Sequence, residues 1–219
     1  MGLRERAVRA ATSKPGVAAR RAVFRGSRHY WERRYARGGT SGSGSYGAAA
    51  QWKADTVNAW VRDLGVTSVV DYGCGDGNQL GLADYPRYLG LDRSDSAIKR
   101  CSALFAADRT KSFLQYDPET LSDPAGWLRA DLALSMEVLF HLVEDAVFED
   151  YLTRLFDSAE RYVVVCSSDV DLPQKSPHER HRAFTGWVAT RRPEWRLEAT
   201  VDPPQGVDLL SSFHLYARA

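Results

Sequence analysis

Residues 69–78 read Val-Val-Asp-Tyr-Gly-Cys-Gly-Asp-Gly-Asn, an apolar run that enters a loop with glycine at every second position. Such glycines let backbone approach a ligand closely and tolerate positive φ. A dinucleotide fingerprint would need a third glycine three residues after Gly75, and Asn78 stands there. Asp76 near the start of the following segment is poorly placed for a pyrophosphate, so a cationic or zwitterionic ligand suits Asp71 and Asp76 better. The plain alternative is a tight strand-to-helix turn with no ligand. Two further aspartates close later apolar runs: Asp92, after Tyr88-Leu89-Gly90-Leu91, and Asp117, after Gln115-Tyr116. An acidic residue about 20 positions beyond the loop, at the end of a second strand, is placed to accept from both hydroxyls of a ribose. A carboxylate at Asp117 could accept from an adenine amino group, or cap a turn before Pro118.

The remaining chemistry gathers in 131–142, Asp-Leu-Ala-Leu-Ser-Met-Glu-Val-Leu-Phe-His-Leu. Glu137 and His141 are four apart, so a helix there would put both on one face. Histidine is the usual base for removing a hydroxyl proton near neutral pH. The alternative is that His141 packs the loop while Glu137 makes a local salt bridge. His178 and His181 lie on a later segment that can reach the same region; His29 and His214 read as structural or solvent-exposed. Glu137, His141, His178 and His181 together could ligate a divalent metal, magnesium included, but their spacing is not diagnostic. Cys74 has no evident base beside it and reads as a small apolar neighbour of a ligand.

The elements that must position these groups alternate. Helical patterns run over 48–64, 78–84, 97–106, 119–128 (broken), 146–159 and 179–190. Strand patterns run over 67–72, 87–92, 111–117, 131–136 and 161–167, with a final pair at 195–201 and 211–218. Strands alternating with helices predict an α/β fold with a parallel sheet covered on both faces. The ligand then sits outside the carboxyl ends of the strands, where Asp71, Asp92, Asp117 and Glu137 fall.

Asp71-x-Gly73-x-Gly75-x-Gly77, Asp92, Asp117 and the 131–142 segment together resemble the class I S-adenosylmethionine-dependent methyltransferases, over about residues 48–219. The resemblance implies a Rossmann-like, doubly wound, mostly parallel seven-stranded sheet with a C-terminal antiparallel strand pair. It also implies S-adenosylmethionine as cofactor, held at its methionine end by Asp71, Gly73 and Gly75, at the ribose by Asp92 and at adenine by Asp117, with Cys74 and Met136 also counted among the cofactor-binding residues. Within the family, Tyr30-Trp31-x-x-Arg34-Tyr35, Ser45-Tyr46-Gly47 and 177–181 are similar to elements of small bacterial enzymes that methylate sugars, the 1-O-methyltransferase of methylmannose polysaccharide synthesis among them. That similarity implies a sugar hydroxyl, of a mannose-type oligosaccharide, as acceptor. Glu137 and His141 would be the catalytic pair, and Tyr30, Arg34, Tyr46, His178 and His181 would meet the substrate. Trp31, Tyr35 and Trp187 join them as aromatic candidates. A natural-product scaffold, RNA, or a non-catalytic nucleotide-binding role are the alternatives.

Size and charge bound these readings. The chain has 219 residues, 44% hydrophobic and 26% charged, enough for a full core and unlike disorder, collagen or coiled coil. No apolar run is long enough for a bilayer span. Three scattered cysteines do not make a disulfide framework, which fits a cytoplasmic location. Residues 1–40 carry eleven Lys/Arg against two Asp/Glu, whereas 41–219 carry eighteen against twenty-six. A basic arm therefore precedes a mildly acidic domain. The glycine- and serine-rich stretch 38–47 divides them, so that 1–47 is expected to be a basic arm and lid and 48–219 the catalytic domain. The arm could meet an anion, although packing on its own acidic domain is the simpler expectation and nucleic acid is not favoured.

Overall fold

The computed structural model describes residues 24–219. The first 23 residues of the basic arm, with six of its Lys/Arg, lie outside them. Seven strands form one sheet: β1 Val69–Tyr72, β2 Tyr88–Asp92, β3 Lys111–Gln115, β4 Ala130–Met136, β5 Ala159–Ser167, β6 Trp195–Val201 and β7 Ser212–Arg218. Their order is β3-β2-β1-β4-β5-β7-β6. β1 to β5 are parallel, and β7 runs antiparallel to both β5 and β6. The order reverses between β1 and β4, and that is the switch point where a doubly wound sheet opens a crevice.

The central strands are apolar at consecutive positions because both faces are covered. Val70, Ala133, Val163 and Val165 join one core, with Phe148, Leu152, Leu155 and Phe156 of α4 (Asp145–Asp157) and Val188 of α5 (Thr185–Arg191). Val69, Leu132, Leu134 and Val164 point the other way, as the period of two requires. They pack with Val57 and Val61 of α2 (Gly47–Asp63), Cys101 of α3 (Asp95–Leu104) and Phe213. Ser94 caps α3, its hydroxyl oxygen accepting from Ala97 N–H at 3.1 Å. A further helix, α1 (Ser27–Ala36), precedes the domain and contacts α3.

Three expected helices differ. Residues 78–84 hold only a single 3₁₀ turn, Leu80–Leu82. There Asn78 N–H is taken by Asp76 Oδ1, and Gly81 weakens any longer helix. Residues 119–128 are turns, because Asp123 accepts from the N–H groups of Trp127 and Leu128 in place of a helical ladder. Of 179–190, only the part from Thr185 onward is helical. Asp169 reaches across to accept from Phe184 N–H (2.6 Å), Thr185 N–H (3.1 Å) and Thr185 Oγ1 (2.6 Å), and so sets the helix start.

Phe213 is fully buried, its ring 5.0 Å from Trp52 and 5.6 Å from Trp60, which makes these tryptophans core residues of the face that carries α2. Phe213→Ala should lower the unfolding free energy by about 3–5 kcal/mol in urea titration. A loss under about 1 kcal/mol would mean that this side of the sheet is not packed as described.

Candidate functional site

The carboxyl ends of β1, β2 and β4 border a cleft of about 970 Å³, counting its open mouth. Its floor is the glycine loop. Gly73 and Gly75 have φ of 86° and 63°. A Cβ at Gly73 would fall 2.5 Å from Val138 Cγ2, and one at Gly75 2.4 Å from Ser41 Oγ. Side chains are excluded at both positions by conformation and by space. The roof comes from α1, which turns Arg28, Trp31 and Tyr35 inward, and from Ser41 and Ser45 beyond it.

Two aspartates are desolvated here. Asp71 is buried and its pKa is pushed up to about 7 by that burial, against the Tyr88 hydroxyl that donates to Oδ2 at 2.7 Å; its Oδ1 has no partner among the described residues. Asp92 is pushed up to about 6 by burial, with Ser94 and Gly75 N–H donating to its two oxygens at 2.8 and 3.0 Å and drawing it back. Asp76 differs. Burial raises it, but donation from Ser41 N–H (2.8 Å), Tyr46 hydroxyl (2.8 Å) and Asn78 N–H (3.2 Å) wins, and its pKa is lowered. It therefore fastens the segment after α1 to the glycine loop and is not free to pair with a ligand, contrary to the sequence expectation.

Lys53 was not anticipated. It is 1% exposed, borders the cleft, and forms no ion pair with the described residues, although its charge is felt by Asp71 and Cys166. Its signal was present: Ala50, Lys53, Ala54, Val57 and Val61 form the buried stripe of α2, and a lysine on such a stripe is costly without a purpose. A buried ammonium beside a buried carboxylate with a free oxygen matches the two ends of an α-amino acid zwitterion. The residues present thus fit the methionine end of S-adenosylmethionine, and Asp92 fits a group that donates two hydroxyls.

The structure brings Asp71, Gly73, Cys74, Gly75, Asp92, Met136, Glu137 and His141 to this cleft. Other expected residues stand elsewhere. Asp117 is outside the lining, its carboxylate taken by Arg28 at 2.7 Å and Glu119 N–H at 3.2 Å; Tyr116 and Arg93 border the cleft instead. Tyr46 is engaged by Asp76. Tyr30 and Arg34 lie on the outer face of α1, in a neighbouring cleft. His178 stacks on Tyr30 with centroids 4.2 Å apart, and His181 shares a hydrogen bond with Ser168 at 2.7 Å. Trp187 packs against the core.

Glu137 and His141 do not share a helix face. Glu137 has φ of 61°, its N–H donates to the Cys166 carbonyl at 2.8 Å, and only a 3₁₀ turn, Leu139–His141, follows. Positive φ at a glutamate is a strained geometry of the kind held at functional sites. Glu137 makes no hydrogen bond to the His141 ring, so it does not orient it; the His178 carbonyl does, 3.1 Å from His141 Nδ1. A carbonyl only accepts, so Nδ1 carries the proton and Nε2 is left bare. Burial lowers the His141 pKa to about 4, and the imidazole is neutral at pH 7. Among the described residues no group of three or more His, Cys, Asp or Glu could hold a metal ion, and Glu137, His141, His178 and His181 do not form one.

Sheet order, glycine loop and cleft define a class I methyltransferase fold. The model of the family described as "Methyltransferase domain" matches residues 69–187. The chain belongs to this family and is an S-adenosylmethionine-dependent methyltransferase. No curated protein sequence matches it. Among solved structures, magnesium protoporphyrin IX methyltransferase (ChlM) from Synechocystis PCC 6803 with bound SAH is 17% identical with TM-score 0.63, over 88% of this chain and 98% of that one. The methyltransferase domain of bacterial CtHen1-C is 19% identical (TM-score 0.61; 77% and 97% covered). N-methyltransferase NodS from Bradyrhizobium japonicum WM9 is 15% identical (0.61; 78% and 97%). At these identities the likeness is one of fold. No helix among the described residues is long and apolar enough to cross a membrane.

Lys53→Met removes the buried charge at nearly constant volume. It should weaken S-adenosylhomocysteine by about 10–100-fold in calorimetry, as for loss of a hydrogen bond to a charged group. The thermal midpoint without ligand should not fall. Unchanged affinity would separate Lys53 from the cofactor.

Proposed function

We propose that this chain methylates a hydroxyl of a small polar acceptor, a sugar of the mannose-oligosaccharide kind. Asp71 and Lys53 would take the two ends of the cofactor's amino acid and Asp92 its ribose. The bare Nε2 of His141 would receive the hydroxyl proton. The observation that carries the reading is the fixed tautomer of a neutral, half-buried imidazole on the cleft wall. When bound, S-adenosylmethionine supplies a methyl group already activated on sulfonium. The chain's own part is alignment, exclusion of water and proton removal. Trp31 and Tyr35, centroids 5.5 Å apart, offer apolar faces of the kind that cover the C–H faces of a sugar.

Residues 27–47 act as the lid in this reading. Glu32 accepts from the Ser94 and Ser96 hydroxyls at 2.6 and 2.7 Å, Ser27 Oγ donates to Glu144 at 2.9 Å, and Arg28 pairs with Asp117. The glycines at 38, 39, 42 and 44 give the hinge. Proteolysis near Gly42 should slow when S-adenosylhomocysteine is added, and equal cleavage rates would remove the lid.

Transfer of labelled methyl onto mono- and oligosaccharides, with and without magnesium, tests the acceptor; transfer to RNA or a natural-product scaffold in their place would contradict it. His141→Ala should cut turnover by about 10²–10⁴-fold while leaving cofactor affinity intact. Because the folded pKa is near 4, the base is already deprotonated above about pH 5, so kcat at saturating cofactor should show no step near pH 6.5. A histidine-like rise around 6.5 that disappears in His141→Ala would show that the ring is more exposed in the working enzyme than described.

A further inference from the structure

The two faces of α1 carry opposite electrostatic fates. Its inward residues are matched to the domain: Arg28 by Asp117, Glu32 by Ser94 and Ser96, Tyr35 by Ser41, and Trp31 by the His141 ring at 4.7 Å. The outer face, at helical spacing 30, 33, 34 and 37, presents Tyr30 and three arginines. With Arg25 and His29 these line a cleft of about 670 Å³. Of the described arginines of the arm, Arg28 alone pairs with a carboxylate. Arg34 spends its N–H groups on the Thr40 carbonyl and the Tyr30 hydroxyl. The helix dipole favours cations in the last turn, which explains Arg33 and Arg34 there. It does not explain four guanidinium groups from Arg25 to Arg37 without a counter-charge among the described residues, since like charges at i and i+4 repel. Solvated surfaces usually mix signs.

This cleft adjoins the proposed acceptor side. Its Tyr30 stacks on His178 at 4.2 Å and meets Trp31 edge-on at 5.4 Å, and Trp31 leads to His141. Arg34 is close enough to press on the protonated forms of both His141 and His178. We propose that the outer face of α1 binds an oxyanion, phosphate or carboxylate, carried by the acceptor, so that the substrate is an anionic, hydroxyl-bearing molecule anchored by Arg25, Arg33 and Arg37. Planar guanidinium forks suit such groups, which they grip through paired N–H donors. The proposal rests on the methyl-transfer reading for the word acceptor, but the anion site itself does not.

The test is calorimetric titration of the full chain, saturated with S-adenosylhomocysteine, with inorganic pyrophosphate in one arm and citrate in another. Arg33→Gln/Arg37→Gln is the comparison, and circular dichroism and S-adenosylhomocysteine affinity report on its fold. At least one anion should bind saturably, about tenfold or more weaker in the double variant, with S-adenosylhomocysteine affinity unchanged. The stronger arm identifies the oxyanion. Absence of saturable binding, or equal binding to both proteins, overturns the site. A short single-stranded oligonucleotide binding about a hundredfold more tightly than pyrophosphate, with steep salt dependence, also overturns it in favour of a polymer partner. If the double variant is misfolded, the single Arg37→Gln is read by the same criteria. If wild type fails to bind S-adenosylhomocysteine, the methyltransferase reading fails while the anion titration still decides the site.

Discussion

The structure depends on the desolvation of two carboxylates at one edge of a parallel sheet. Asp71 and Asp92 end neighbouring strands, and both are pushed towards neutrality by burial. A carboxylate whose pKa is raised on folding costs nothing below its unfolded value, costs progressively more stability as the pH rises from there, and exerts its full cost above its folded value. Between about pH 4 and 7 these groups therefore lower the stability of the ligand-free chain as pH rises. A ligand offering an ammonium and two hydroxyls supplies the missing donors. The glycine loop exists so that such a ligand can come within reach, and the sheet's switch point leaves room for it.

The same edge explains the lid's chemistry. Asp76 and Asp117 might have faced the ligand, and each is instead spent on the N-terminal segment, one on Ser41 and Tyr46, the other on Arg28. Glu32 docks at the N-terminus of α3, where exposed N–H groups and the helix dipole favour a negative charge. Charge-assisted bonds of this kind orient a roof without a large apolar interface, which suits an element that has to open and close.

Local spacing made much of this legible. The strands were readable because β-branched runs are bounded by turn residues, and the glycine loop, Asp71 and Asp92 followed from strand ends, whereas Met136 came only from the family resemblance. What escaped depended on distant partners. The helix over 179–190 was shortened by Asp169, and the one over 119–128 was dissolved by Asp123. Glu137 and His141 both reach the cleft but share no helix face, because Glu137 takes φ of 61° before a 3₁₀ turn, a backbone choice that side-chain spacing does not encode. Asp117 was drawn away by an arginine 89 residues earlier. Lys53 could have been found, as the one charge on an apolar helical stripe.

The central claim is that cofactor binding ionises carboxylates that the empty fold holds partly protonated. Proton release can be measured directly by titrating S-adenosylhomocysteine calorimetrically near pH 6 in buffers of different ionisation enthalpy. The account predicts a net release of protons on binding, smaller at pH 8, where both groups are already ionised. No release at pH 6, or net uptake, would contradict it.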